Sequence, residues 1–281
     1  MKRVAVNGMG RIGRLVVRAL LERENVELVA VNDIASMATI AYLLAHSTEH
    51  GALGANIAYD EEAKALVIGG KPVIACCERD ASKLPWKELA VDVVIECSGA
   101  YCSRSKAQAH LDAGAKKVLI SAAAGSDVPT VVYGINDSIL TDADKIVSGA
   151  SCSTVGLAPF AKAVGLVLPE LQGRLSGYAI RVPVTRGSLI TLYAVVSYEG
   201  EGTLDADKLN ELMRAHENEA FGYTDEELVS SDIAGTNLYS IFDATQTKVS
   251  PLENGYLVET AAWFDNETSY VSHFVQLLRL L

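Results

Sequence analysis

The sequence predicts an α/β protein of two domains, the first built on a parallel sheet and the second an α+β domain with a mainly antiparallel sheet. Up to about residue 150, apolar runs of strand length alternate with helical patterns, which is the order of β-α-β units. After residue 151, β-rich runs follow one another with turn residues between them. We therefore expect domains over 1–150 and 151–268, with the closing helix 269–281 packed back on the first.

The elements of the first domain follow in a regular order. A strand over 2–7 precedes a helix over 11–23 whose apolar residues recur at helical spacing. The Gly69-Gly70 pair between two apolar runs predicts a hairpin over 66–77. Further strands are predicted over 26–33, 91–99, 116–122 and 130–136, and further helices over 35–46 and 103–114, the last with Ser103 and Gly114 as caps.

The order of predicted helices and strands differs in the second domain. An apolar helix is predicted to follow Cys152 and to run to residue 171. Gly187-Ser188 separates two β-rich runs, which predicts antiparallel strands within 177–200. The remaining predicted elements are an amphipathic helix over 204–220, a strand over 255–266 and the closing helix over 269–281.

Composition excludes several classes of protein. The 281 residues carry a formal net charge of −11, which disfavours nucleic acid as a partner. No run approaches the ~20 apolar residues of a membrane span, and the first residues lack the pattern of a signal peptide. We expect a cytoplasmic protein with no membrane partner. Five cysteines without CxxC spacing predict neither a disulfide framework nor a metal site.

The first turn carries a G-x-G-x-x-G motif, Gly8-Met9-Gly10-Arg11-Ile12-Gly13, directly after a strand and at the start of a helix. Such glycines allow a tight turn and let a pyrophosphate approach the backbone and the helix amides. Asp33 lies where an acidic residue would hold the ribose hydroxyls, and its charge favours NAD over NADP. These residues predict a Rossmann-type NAD-binding domain. The alternatives are a plain tight turn, and a helix N-cap for Asp33.

Cys152 stands at the predicted start of the apolar helix. A helix N-terminus favours the thiolate, and its amides stabilise a developing oxyanion, so the position suits a nucleophile. The alternative is a small buried residue before a helix. A nucleophile of this kind needs a general base beside it.

Ordered matches identify a family resemblance over nearly the whole chain. "VNGMGRIGRLVVRAL", "AGAKKVLISAAAG", "ASCSTVGLAP", "RVPVTRGS" and "WFDNETSY" resemble glyceraldehyde-3-phosphate dehydrogenase. The resemblance implies that Cys152 attacks the aldehyde carbon, that hydride passes to NAD, and that inorganic phosphate releases the thioester, a step of glycolysis. It also implies a homo-oligomer, a tetramer by resemblance with a dimer as the alternative.

The resemblance assigns roles to individual residues. Ser151 and Ser153 match positions near the attacking phosphate, although both also suit helix caps. Arg181 matches the arginine that holds the substrate phosphate, with a surface ion pair as the alternative. Asn266 matches the nicotinamide carboxamide contact, and Tyr270 its stacking neighbour or a helix-packing residue. Further cofactor contacts are implied for Arg79, Ser98 and Ser121.

The match breaks after the nucleophile. "LAPFAK" (157–162) resembles the start of the family's first helix in this region and "AVGLVLPEL" (163–171) the end of a later one. Several tens of residues are absent between them, including the strand that carries the catalytic histidine. A shortened gene, an engineered excision and a segment missing from the written sequence all fit this junction. Val155 and Gly156 also replace the Asn and Cys usual after the nucleophile.

None of the five histidines occupies the position in the sequence where the family carries its catalytic base. His46 and His50 lie in the nucleotide half; His110 is expected to be solvated beside Lys106, and His216 to be a satisfied core histidine. His273, near Asn266 and Tyr270, is the one substitute base worth testing.

Three functions are compatible with this sequence. The first is an NAD-dependent, phosphorylating aldehyde dehydrogenase with activity impaired by the missing histidine. The second is an NAD-binding pseudoenzyme without turnover. The third is a thiol hydrolase or thiol-based redox sensor that uses Cys152 without hydride transfer.

Overall fold

The structure is a computed structural model that describes residues 1–161, 177, 179–198, 200 and 202–281. The chain divides into two compact units. The first contains Met1–Ser151 and Phe274–Leu281, and the second contains Cys152–His273. The first is built on an eight-stranded, mostly parallel sheet and the second on a four-stranded, mostly antiparallel sheet, which confirms the predicted fold class.

The sheet of the first unit follows the order β3-β4-β5-β2-β1-β6-β7-β8. The strands from β5 to β8 in that order pair in parallel, and β3 and β4 extend the sheet antiparallel. The central strands are buried, as expected for a parallel sheet with both faces covered. The strand bounds are β1 Lys2–Asn7, β2 Val26–Asn32, β3 Ile57–Asp60, β4 Ala65–Ile68, β5 Lys71–Cys76, β6 Val93–Glu96, β7 Lys117–Ile120 and β8 Ile146–Ser148.

The helices of the first unit are α1 (Arg11–Leu21), α2 (Met37–Ala45) and α3 (Arg104–Asp112). The predicted caps of α3 are confirmed: the Ser103 hydroxyl accepts the Lys106 amide, and Gly114 adopts a positive φ of 103°.

Residues Phe274–Leu281 pack within this unit. A side chain added at Gly149 would overlap the Phe274 ring, and Lys2 Nζ donates to the Leu278 carbonyl at 2.6 Å.

The predicted hairpin is confirmed, whereas the predicted strand over 130–136 is wrong. Gly69 and Gly70, both at positive φ, form the two-residue turn between β4 and β5. In the other segment, one bridge joins Thr130 to Ser148, and the chain then turns. The Asn136 Oδ1 accepts the Val132 amide at 2.8 Å, so a local side-chain bond replaces strand pairing.

The sheet of the second unit follows the order β10-β11-β12-β9, with only β10 and β11 parallel. Its strands are β9 Ser188–Val196, β10 Phe221–Thr224, β11 Ser240–Leu252 and β12 Gly255–Phe264. The helices from Cys152 onward are α4 Cys152–Ala161, α5 Ala206–Arg214, α6 Ser230–Ile233 and α7 Thr268–Gln276, which continues into a 3₁₀ turn over Leu277–Arg279.

Several predictions for this half are corrected. Of the two strands expected around Gly187, only β9 forms, and the described residues 179–187 contain no strand. Helix α5 ends six residues before the expected bound, at Arg214. His216 is therefore exposed rather than in a core, with Nδ1 2.7 Å from the Leu212 carbonyl. The predicted continuation of α4 to residue 171 lies outside the described residues.

Strand β9 is unusual for an apolar strand. Its side chains alternate between half-buried and exposed, and Leu189, Tyr193 and Val195 are among the exposed ones. Within the part of the chain that the structure describes, β9 pairs only with β12. Among the described residues of the whole chain, none of the helices has both the length and the apolar character that a membrane span requires.

Candidate functional site

The predicted cofactor residues of the first unit gather at one edge of the parallel sheet. Asn7 is paired with Asn32 and Glu96, and Glu96 is paired with Ile120, so β1, β2, β6 and β7 end side by side. The chain leaves β1 toward β2 on one side and returns to β6 on the other. Ligands of open α/β sheets bind at such a switch point, outside the carboxyl ends of the strands.

The glycines of the first turn divide into two kinds. Gly8 has a φ of 95°, and a side chain there would overlap the Ser98 backbone; a side chain at Gly13 would overlap the Gly8 carbonyl. These two glycines are required by the turn itself. Gly10 is exposed and has nothing within 4 Å of the place where a side chain would be. Packing therefore does not explain why this position lacks a side chain.

The amino end of α1 suits an anion. Gly10 is its N-cap and offers no side-chain cap, and the first turn contains Arg11 and no acidic residue. Ile12 is half-buried, and Arg11 is exposed. The first-turn amides and the helix dipole therefore suit the pyrophosphate of a dinucleotide.

Asp33 lies against the same turn. Its Oδ2 accepts the Met9 amide at 2.6 Å and its Oδ1 accepts the Ala35 amide at 2.9 Å. The N-cap of α2 is Ser36, so Asp33 does not have the capping role considered as the alternative. The half-buried carboxylate is held at the end of β2, beside the glycine turn.

The other cofactor candidates of this unit are held largely by backbone. The exposed Arg79 offers its carbonyl to the Tyr101 hydroxyl at 2.7 Å. Ser98 is exposed, and its hydroxyl donates to Glu96 Oε1 at 2.5 Å and accepts the Ala100 amide at 3.1 Å. Ser121 is half-buried, with its amide donating to the Glu96 carbonyl at 2.9 Å.

Sequence reasoning missed a buried polar cluster beneath this edge. Glu96 and His110 are both fully buried, with His110 Nε2 3.0 Å from Glu96 Oε2. The expectation of a solvated His110 is therefore wrong, because α3 turns this side chain inward toward Trp86. An available signal was the carboxylate inside the apolar run "VVIECSG", since a charge is rarely buried without partners.

The nucleophile candidate begins α4. Cys152 is the first helical residue and is half-buried, as is Ser151, whereas Ser153 is exposed. Ala150 adopts a φ of 62°, unusual for a residue with a side chain, and its amide donates to the Ser148 hydroxyl at 3.1 Å. A strained turn therefore directs the chain from β8 into the cysteine-bearing helix.

The two departures after the cysteine have a packing reason. A side chain added at Gly156 would come within 2.7 Å of the buried Phe264 ring, so glycine lets α4 approach β12 closely. Val155 is 1% exposed and packs in the core of this unit. Both substitutions thus serve the α4 interface with the sheet.

Asn266 is held by a buried anchor next to it. Asp265 is fully buried and accepts three amides, from Gly235 at 2.7 Å, Glu267 at 2.8 Å and Thr268 at 2.9 Å.

Two further contacts join this anchor to the segment before β9. Arg186 Nε lies 3.7 Å from the Asp265 carboxylate. Asn266 Oδ1 accepts the Gly187 amide at 3.2 Å. The Gly187 turn and the Asn266 segment therefore meet in the second unit.

The remaining predicted residues lie in contrasting surroundings. Arg181 is exposed on an irregular segment, which leaves its guanidinium accessible to an anion. Tyr270 is 3% exposed and so is packed like a core residue. His273 is fully buried, its ring 5.2 Å from that of Tyr239 in an edge-on arrangement. Burial lowers the pKa of His273 to about 3, which makes it a weak proton acceptor at neutral pH.

The fold and the sheet edge define a protein of the dinucleotide-binding class with a separate α+β domain. The family described as "Glyceraldehyde 3-phosphate dehydrogenase, NAD binding domain" matches residues 2–104, and its "C-terminal domain" counterpart matches residues 157–266. The chain belongs to the glyceraldehyde-3-phosphate dehydrogenase family, and its cofactor is NAD.

Relatives match along almost the whole chain. The glyceraldehyde-3-phosphate dehydrogenase of Clostridium pasteurianum is 37% identical, with 99% of this chain and 98% of the relative covered. That of Kitasatospora aureofaciens is 38% identical, with 100% and 99% covered. The first alignment spans 332 positions, more than the 281 residues here, so this chain has gaps relative to that enzyme.

Proposed function

We propose that this chain is a phosphorylating, NAD-dependent glyceraldehyde-3-phosphate dehydrogenase with Cys152 as its nucleophile and a greatly reduced rate. The observation that carries the proposal is a match to both family domains together with a half-buried cysteine at the first residue of α4. NAD supplies the hydride acceptor when it is bound.

The sulfur chemistry follows from the position of Cys152. Its thiolate forms a C–S bond to the aldehyde carbon, and the carbonyl oxygen takes up a proton to give a hemithioacetal. Loss of a hydride and a proton converts the hemithioacetal to a thioester. An oxygen of inorganic phosphate then attacks the thioester carbon, the C–S bond breaks, and the thiolate is regenerated with release of an acyl phosphate.

Different polar residues bind the substrate, inorganic phosphate and the nicotinamide ring. Arg181 holds the phosphate of glyceraldehyde 3-phosphate, because its exposed planar fork accommodates two phosphate oxygens. Ser151 and Ser153 flank the thiol and donate to inorganic phosphate. Asn266 orients the nicotinamide carboxamide, and Tyr270 supports that segment by packing.

NAD is held at the sheet edge of the first unit. The open face of Gly10 and the uncapped first turn of α1 receive the pyrophosphate, and the Asp33 carboxylate receives the ribose hydroxyls. Arg79, Ser98 and Ser121 line the adenine and nicotinamide sides.

The reduced rate follows from the missing base. A positioned general base contributes roughly 10²–10⁴ in rate. His273 is a poor substitute, because full burial lowers its pKa to about 3. This same observation favours a second candidate, an NAD-binding protein that has lost turnover.

A single-turnover experiment distinguishes the two candidates. Protein mixed with NAD and glyceraldehyde 3-phosphate, without phosphate, is followed by NADH absorbance and intact mass. The proposed enzyme forms NADH in proportion to an acyl adduct on Cys152, and Cys152→Ser forms neither. NAD binding by calorimetry without NADH or adduct supports the second candidate and refutes the first. A Cys152 that oxidises equally with and without NAD would favour a redox sensor.

The assembly is also a proposal. We propose a cytoplasmic homo-oligomer, a tetramer by family resemblance. A dimer is the alternative because the absent segment contributes to the family's interface. Sedimentation velocity on the purified chain decides between them.

A further inference from the structure

Glu96 is a buried carboxylate whose two oxygens both receive hydrogen bonds. It ends β6 and is fully buried. Its Oε2 lies 2.5 Å from Asn7 Nδ2 and 3.0 Å from His110 Nε2. Its Oε1 accepts the Ser98 amide at 2.6 Å and the Ser98 hydroxyl at 2.5 Å. Four donors offset the cost of removing this carboxylate from water.

The first chain of donors begins at Trp86. An indole N–H only donates, and Trp86 Nε1 donates to His110 Nδ1 at 3.1 Å. His110 Nδ1 is therefore the acceptor of the neutral ring, and its Nε2 carries the hydrogen. That hydrogen points at Glu96, so His110 acts toward Glu96 only as a donor.

The second chain of donors begins at the backbone of Glu78. Asn32 is bracketed by Glu78, whose amide donates to Asn32 Oδ1 at 2.9 Å and whose carbonyl accepts from Asn32 Nδ2 at 2.8 Å. This bracket fixes the orientation of the Asn32 amide. Asn32 Nδ2 also donates to Asn7 Oδ1 at 2.7 Å, which leaves Asn7 Nδ2 directed at Glu96. Asn7 therefore also faces Glu96 as a donor.

The third chain is the Ser98 backbone amide, which has no other role than donor. All three chains end on Glu96, so hydrogen-bond donors converge on both of its carboxyl oxygens. The Ser98 backbone that it holds is the same backbone against which Gly8 closes the cofactor turn. Glu96 is thereby coupled to the geometry of that turn.

We propose that Glu96 is a positioning residue for NAD. Its carboxyl group fixes Ser98 and, through Ser98, the Gly8 turn, while Asn7 and Asn32 connect it to the ends of β1 and β2. It acts through these residues and does not touch the cofactor. This inference rests on the proposed placement of NAD at the carboxyl ends of the strands.

The test is Glu96→Gln, which preserves volume and replaces one acceptor by an N–H donor. That donor opposes either Ser98 or the Asn7 and His110 pair. We expect the NAD dissociation constant, measured by calorimetry, to rise about tenfold or more, because the opposed donor displaces the Ser98 backbone against which the Gly8 turn closes. The matched control is the exposed Glu88→Gln, which should bind NAD as the wild type does.

A second readout separates positioning from general damage. At saturating NAD, the single-turnover rate of thioester formation in Glu96→Gln should equal the wild-type rate, so the defect lies in NAD affinity alone. If Glu96→Gln fails to fold, Trp86→Phe takes its place. It removes the donor that fixes the His110 tautomer together with part of a buried ring, and it should raise the dissociation constant about threefold.

The outcomes separate this inference from the proposed function. Wild-type protein that does not bind NAD contradicts the proposed function. Wild-type protein that binds NAD, with a folded Glu96→Gln that binds equally well, overturns the positioning role alone. So does Trp86→Phe with wild-type affinity where Glu96→Gln cannot be obtained folded.

Discussion

The two kinds of glycine in the first turn lead to opposite expectations for the same substitution. Alanine at Gly13 would overlap the Gly8 carbonyl, a backbone atom that cannot move without shifting β1 against α1. Overpacking of this kind costs about 1–3 kcal/mol, and we expect the upper part of that range. For a unit of this size each kcal/mol lowers the melting temperature by roughly 2–4 °C, so Gly13→Ala should melt roughly 5–10 °C lower.

Alanine at Gly10 meets nothing within 4 Å, and the residue's φ of −66° is open to alanine. Its stability should change by less than about 1 kcal/mol, the range for N-cap substitutions. The added methyl group occupies the side proposed above to receive the pyrophosphate, so NAD affinity should fall at least about tenfold.

Thermal unfolding by circular dichroism and NAD titration by calorimetry, on both variants, give the comparison. Unfolding at the wild-type temperature for Gly13→Ala, or wild-type NAD affinity for Gly10→Ala, would refute this division of roles.

Three further predictions concern other parts of the chain. Burial lowers the pKa of His273 from 6.5 to about 3. Between pH 6.5 and about pH 3, His273 is therefore protonated in the unfolded chain and not in the folded chain. The unfolding free energy should therefore fall by about 1 kcal/mol per pH unit below pH 6.5, and less steeply in His273→Gln. Burial raises the pKa of Cys97 to about 12, so iodoacetamide at pH 7.5 should label the exposed Cys77 and the half-buried Cys152 and spare Cys97 in peptide mass maps. Asp265→Asn should lower the free energy of unfolding by about 2–3 kcal/mol in urea titrations, since buried amides lose a charged acceptor.

A specific result would contradict each of these three predictions. Equal pH slopes for wild type and His273→Gln would show that His273 protonates in the folded state. Labelling of Cys97 in native protein at the rate of Cys77 would show that its thiol is accessible. For Asp265, the exposed pair of Arg214 and Asp225 is the control: Asp225→Asn should cost under about 1 kcal/mol, and an equal cost for both would contradict the buried anchor.

Strong local patterns in the sequence predicted much of the first unit. The G-x-G-x-x-G turn and the Gly69-Gly70 hairpin are specified by backbone conformations that few residues other than glycine adopt. The strand expected at 130–136 failed because Asn136 binds the backbone at Val132, a local competition that apolar periodicity does not report. The short strand β8 was missed beside it.

The candidate site was predictable where a motif carries it and not where tertiary contacts do. His110 was expected in solvent because its helix carries polar neighbours, yet its side chain meets Glu96 and Trp86, which are 14 and 24 residues away in sequence. Arg186 and Asp265 are likewise brought together by the fold of the second unit. Long-range polar pairing of this kind leaves no periodic trace in the sequence.

The measurement that tests the central claim most directly is NADH formation from glyceraldehyde 3-phosphate, phosphate and NAD, with and without added imidazole. The sample is protein whose intact mass agrees with 29.9 kDa, with Cys152→Ser alongside. We expect slow turnover that depends on Cys152 and that rises with imidazole, because a soluble base replaces the missing histidine. Protein that binds NAD and forms no NADH under either condition would contradict the claim and leave an NAD-binding protein without dehydrogenase activity.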